Sequence, residues 1–189
     1  MAIETQTRIS NEAYERLALS DTDRKWELWD GVLREKPGGT AAANSLCAEL
    51  VFGLLSQLDW AVYQGRTNAG RLRRPPATYV VPDVFVFPVR YVTPRLRGDD
   101  VLEVYEQPVP LVAQMWSAIA GDAYVQANLA IFKERGDHEI WFLHPYERWL
   151  IRWVRELDGS YLETELRAGL IRPVGLPGVA IDLDALFDL

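Results

Sequence analysis

One acid interrupts the apolar run Thr78-Tyr79-Val80-Val81-Pro82-Asp83-Val84-Phe85-Val86-Phe87-Pro88, and one amide interrupts a second run, Val112-Ala113-Gln114-Met115-Trp116-Ser117. A polar group at such a strand position needs a partner, because burying it alone is costly. Asp83 therefore either caps a backbone N–H near a strand end or takes part in chemistry. Its neighbourhood is basic: between Arg66 and Arg97 seven arginines stand against the single acid Asp83, a local balance of +6. Guanidinium groups beside a reactive acid can hold phosphate bidentately, while a charge run is more often a solvated face. An acidic cluster, Asp99, Asp100, Glu103 and Glu106, follows at once.

The elements that must position these residues are legible from periodicity. Residues 78 to 145 read as strand, loop, strand, helix, strand. The flanking runs are almost wholly apolar, as in strands covered on both faces, and the intervening helix is long enough for a right-handed crossover, giving a βαβ unit. Upstream, Ile9 to Leu19 is a short amphipathic helix with Ser10 as N-cap. Trp26 to Arg34 is a hairpin turning at Asp30-Gly31. A helix from about Thr40 to Leu58 carries Leu46, Leu50, Leu54 and Leu58 on one broad face. Ala61–Gln64 and Gly70–Arg73 read as short strands, and Pro75-Pro76 separates them from the Asp83 strand. Arg148–Leu157 alternates, turns at Asp158-Gly159 and returns over Ser160–Leu166 as a second hairpin. A Pro-Gly turn and a short helix capped at Asp182 close the chain.

Composition sets the limits. The 189 residues, 49% of them hydrophobic, suit one domain over 1–189, with an N-terminal helix and lead-in over 1–25. One cysteine rules out a disulfide framework and a Cys-based zinc site; Cys47, among Leu46, Leu50 and Leu54, reads as a small buried apolar group. The start carries no basic segment followed by an apolar one, and no run of 18 apolar residues occurs, so a soluble cytoplasmic protein with no membrane partner is expected. A net charge of −7 argues against a generic nucleic-acid binder. Serine-hydrolase, Walker and dinucleotide-binding patterns are absent.

Three segments carry a resemblance: Pro82-Asp83-Val84, the run from Val112 to Ser117, and Gly136-Asp137-His138-Glu139-Ile140-Trp141. Their order and spacing resemble the Uma endonuclease family of the PD-(D/E)XK restriction-endonuclease-like superfamily, over Trp26 to Leu189. The resemblance implies an α/β fold: a central mixed β-sheet flanked by helices, with a C-terminal β-hairpin. It also implies a homodimer, DNA as partner, and Mg²⁺ held by carboxylates with a lysine steering the attacking water.

Carried over by position, the site comprises Glu27, Asp83, Gln114 and Asn128, with Glu27, Asp83 and Gln114 at the metal. Glu27 and Asp83 match. Gln114 stands where the family has a glutamate, and Asn128, counted back from Gly136, where it has a lysine. Lys133 is roughly 140° further around the helix. Lys25 and Lys36 belong to other elements, and a fold-back of Lys36 stays open. The family's histidine near the start of the second helix is replaced within Ala41-Ala42-Ala43-Asn44. His144 falls where the family has an acid; it and His138 suit surface or strand-end roles. Gln114 and Asn128 are expected to bond each other or nearby backbone. Two functions follow as expectations. One is a catalytically impaired homologue that keeps the scaffold, binding nucleic acid through Arg71, Arg73 and Arg74 or serving as an interaction module. The other is an active Mg²⁺-dependent DNA endonuclease using Glu27 and Asp83.

Overall fold

The computed structural model describes residues 8–188; the first seven residues of the expected lead-in and Leu189 lie outside that range. Helix α1 (Asn11–Ser20) starts where Ser10 Oγ accepts from the Ala13 N–H at 3.2 Å. Strands β1 (Trp26–Trp29) and β2 (Val32–Glu35) form the expected hairpin, with Asp30 and Gly31 at φ of 48° and 85°. Two successive positive φ values define the turn that matches strand twist, which is why Asp-Gly sits there. Helix α2 (Ala41–Leu55) is capped by Thr40 and ends a turn earlier than its leucine spacing suggests.

Next come β3 (Tyr63–Thr67), β4 (Arg71–Arg74), β5 (Thr78–Val80), β6 (Val84–Pro88) and β7 (Val104–Tyr105). The crossover unit is β8 (Leu111–Met115), α3 (Gly121–Arg135) and β9 (Glu139–His144), with β8 and β9 parallel as predicted. Gly136 ends α3 at φ 77°, the left-handed conformation favoured just past a helix. The chain finishes with β10 (Trp149–Arg155), β11 (Tyr161–Leu166), β12 (Leu170–Ile171), β13 (Ile181–Asp182) and α4 (Leu183–Leu186).

The main sheet runs β11-β10-β9-β8-β6-β3 and is mixed. Alternate side chains separate to its two faces. Val84, Val86, Leu111, Ala113, Trp141 and Leu143 pack with Leu46, Leu50 and Leu54 of α2. Phe85, Phe87, Val112, Ile140, Phe142 and Trp153 pack with Val125, Leu129 and Phe132 of α3. The late hairpin extends this sheet, since β10 pairs with β9, and Trp149 and Trp153 are strand residues.

The apolar run from Thr78 to Pro88 is not one strand. β5 joins a second sheet, ordered β2-β1-β5-β4-β7, and β6 joins the main one. The break is Val81-Pro82-Asp83, where proline has no N–H to give a ladder. Asp83 thus stands at the junction of two sheets, and the hairpin that carries Glu27 belongs to the other sheet.

Candidate functional site

Glu27 lies on β1 and is fully buried. Its Oε1 accepts from the Val81 N–H at 2.7 Å, its Oε2 from Trp29 Nε1–H at 3.1 Å, and the Tyr124 hydroxyl lies 3.1 and 3.2 Å from the two oxygens. Burial raises its pKa above the ordinary value of 4.5, opposed by the charge of Lys36 and by these donors. Tyr124, the second turn of α3, closes Glu27 off from the cleft beside it.

Asp83 has its own set of donors. Oδ2 accepts from Gln114 Nε2 and from the Met115 N–H, both at 2.7 Å. Oδ1 accepts from Lys36 Nζ at 2.6 Å, and that ammonium also donates to Asn68 Oδ1 at 2.7 Å. The Lys36 side chain is only 5% exposed. Lys36 is thus the residue that the positional comparison did not assign. The signal for it lies in the hairpin register: Trp26 faces Glu35, and the Lys36 N–H continues the ladder to the Lys25 carbonyl at 2.7 Å. Period two then puts Lys25 on the face of Glu27, and Lys36 on the face of Arg34. Burial and the neighbouring Lys36 push the Lys25 ammonium below its usual pKa.

These groups line a cavity of about 340 Å³ at the sheet junction, with Asn44, Cys47, Ser117 and Tyr124 among its walls. Burial raises the Cys47 thiol, which leaves it protonated and inert. Glu27 and Asn128 do not line the cavity.

The expected amide pairing does not form. Gln114 turns its N–H to Asp83, which leaves its Oε1 buried without a hydrogen-bond partner, and both amide atoms of Asn128 are likewise unpartnered. The predicted phosphate-binding arginines sit on β4, in the second sheet, and none lines the cavity. Arg73 pairs with Glu106, and Arg74 with Asp30 and Glu134. Arg71 Nε has no partner. His138 is exposed, and His144 ends β9 with its ring stacked on Trp116 at 4.2 Å.

A divalent cation of the Mg²⁺ class needs several hard oxygen ligands around an open position. The residues present do not fit one. Both Asp83 oxygens are engaged by donors, an ammonium already stands against Oδ1, and Glu27 is sealed behind Tyr124. Among the cavity side chains just described, Gln114 Oε1 is the buried oxygen left without a donor. Among the described residues no three His, Cys, Asp or Glu side chains converge as a metal group.

The fold is that of a nuclease-like α/β protein. It superimposes on the crystal structure of a putative nuclease belonging to DUF820 from Anabaena variabilis ATCC 29413 with a TM-score of 0.71 at 16% identity, covering 88% of this chain and 92% of that one. The sequence matches the Uma2 family, described as putative restriction endonuclease, over residues 11–184, and the chain belongs to that family. No curated protein matches it. Among the described residues no helix is long and apolar enough to cross a membrane.

Proposed function

We propose that this chain is a catalytically impaired member of its endonuclease family, in which Lys36 occupies the place beside Asp83 that a divalent cation would take. One observation carries the reading: the Lys36 ammonium, 5% exposed, lies 2.6 Å from Asp83 Oδ1. An ammonium neutralises the carboxylate, but it offers no coordination position on which water could bind and lose a proton. Gln114 in turn donates to Asp83 instead of adding the second charge that a metal centre requires. Nucleic-acid binding through Arg71, Arg73 and Arg74 is the lesser part of the proposal, since phosphates would have to displace Glu106, Asp30 and Glu134.

One observation favours the second reading, a working Mg²⁺-dependent endonuclease: a lysine does stand in the cleft, so a water-orienting cation would come from the residue just past β2 in place of α3. Nicking of supercoiled plasmid in Mg²⁺ or Mn²⁺ separates the two. The native protein is expected to match Asp83→Asn at background. Metal-dependent nicking that Asp83→Asn lowers by about 10²-fold or more would establish the active enzyme instead.

A further inference from the structure

A second cavity, of about 640 Å³, runs between α3 and the face formed by β9 and β10, and it shares no lining residue with the cleft at Asp83. Its chemistry is the opposite of the β4 arginines: two acids, Asp122 and Glu147, line it among aromatic rings, and no lysine or arginine does. We infer that this groove binds a guanidinium group, carried by an arginine side chain or a small guanidine compound.

The ring surface is built and held. His144 stacks on Trp116 with centroids 4.2 Å apart at 19°, and packs against Trp149 at 4.9 Å. Tyr146, 55% exposed, meets Trp116 edge-on at 6.1 Å. Each acid is fixed to this surface by an indole: Trp116 Nε1–H donates to Asp122 Oδ1 at 2.7 Å, and Trp149 Nε1–H to Glu147 Oε2 at 2.9 Å. That leaves Asp122 Oδ2 and Glu147 Oε1 with no hydrogen-bond partner among the described residues, His144 Nε2 lying 4.0 Å from Glu147 Oε1. His144 adds no opposing charge, because its Nδ1 accepts from the Glu147 N–H at 3.0 Å and burial lowers its pKa.

A cation over indole faces is attracted by the ring quadrupole. Guanidinium suits this groove better than ammonium, being planar, weakly hydrated and able to stack while giving paired N–H donors to carboxylates. The same two carboxylates repel phosphate, which disfavours a nucleic-acid strand here.

Calorimetry on the full chain tests the inference with acetyl-arginine amide, methylguanidinium and acetyl-lysine amide. Saturable binding with Kd on the order of 1 mM is expected for the arginine probe, about fivefold tighter than for lysine. Asp122→Asn and Glu147→Gln keep an acceptor for the indoles and so preserve the fold; together they should weaken binding about tenfold, as should Trp149→Ala. Methylguanidinium as tight as the arginine probe assigns the groove to small guanidines, and weaker binding assigns it to arginine in a peptide. No saturation, equal affinity for lysine, native-like binding by the carboxamide variants, or displacement of the arginine probe by an oligothymidylate would each overturn it.

Discussion

At the scale of residues, the centre is a set of matched donors and acceptors around two carboxylates. Asp83 receives two neutral N–H donors and one ammonium, so its charge is both solvated and neutralised. Breaking such a pair from the cationic side leaves an uncompensated buried charge. Lys36→Met is therefore expected to lower the unfolding free energy by about 3 kcal/mol, read as a drop in the urea midpoint at pH 7. Glu27 brings a pH dependence. Its folded pKa lies above the ordinary 4.5, so the stability it supports is fully present below that value and is lost as pH rises through the folded pKa. Glu27→Gln removes the titration and should flatten the urea midpoint against pH above 4.5, although the amide N–H₂ then faces the Val81 or Trp29 donor and lowers the curve as a whole.

The elements that carry Glu27, Gln114 and Asn128 were legible, because periodicity and turn signals are sequence properties; that Asp83 and Gln114 line the cleft while Glu27 and Asn128 do not was not. Nor was what these side chains bond to. Gln114 turned to Asp83 and Asn128 to nothing, since amide orientation depends on neighbours contributed by distant segments. Lys36 had a signal of its own, the register of a hairpin whose turn is strongly encoded, but it lies outside the helix on which the resemblance places a lysine.

At the scale of elements, the hairpin of β1 and β2 does the positioning. It carries Glu27 on one arm and ends at Lys36 on the other, so the geometry of its turn sets the geometry of the site. Gly31 holds φ 85°, and a Cβ there would meet Arg8 Cγ at 3.5 Å, an ordinary contact. The cost of Gly31→Ala is then backbone conformation alone, about 1 kcal/mol, expected as a lowered urea midpoint at unchanged slope. The crossover unit was legible because its apolar runs and helix period are strong. The division of the Thr78–Pro88 run between two sheets was not, because both halves are apolar and buried, and only Pro82 marks the break.

At the scale of the whole molecule, two sheets meet at Asp83, and the six-stranded one is covered on both faces by α2 and α3. That architecture leaves a cleft of about 340 Å³ at the junction, which in a metal-dependent nuclease would have to present converging carboxylates. Here the cleft presents Lys25, Lys36 and three acids, Asp23, Glu35 and Asp83; Asp83 is already engaged by donors, and among the described residues no three such groups converge on a metal position. The basic stretch from Arg66 to Arg97 had suggested a phosphate face. Its acid partners come from far along the chain, Glu106 for Arg73 and Glu134 for Arg74, and such pairings are set by sheet and helix packing rather than by local sequence.

The most direct measurement is Mn²⁺ titration by calorimetry on the native protein, on Asp83→Asn and on the double variant Gln114→Glu with Lys36→Met, which adds a carboxylate and removes the ammonium from Asp83. If Lys36 holds the acidic centre, the native protein shows no specific heat of binding, Asp83→Asn is indistinguishable from it, and the double variant gains a site. Micromolar Mn²⁺ binding by the native protein that Asp83→Asn abolishes would contradict this account and put a metal where the ammonium stands.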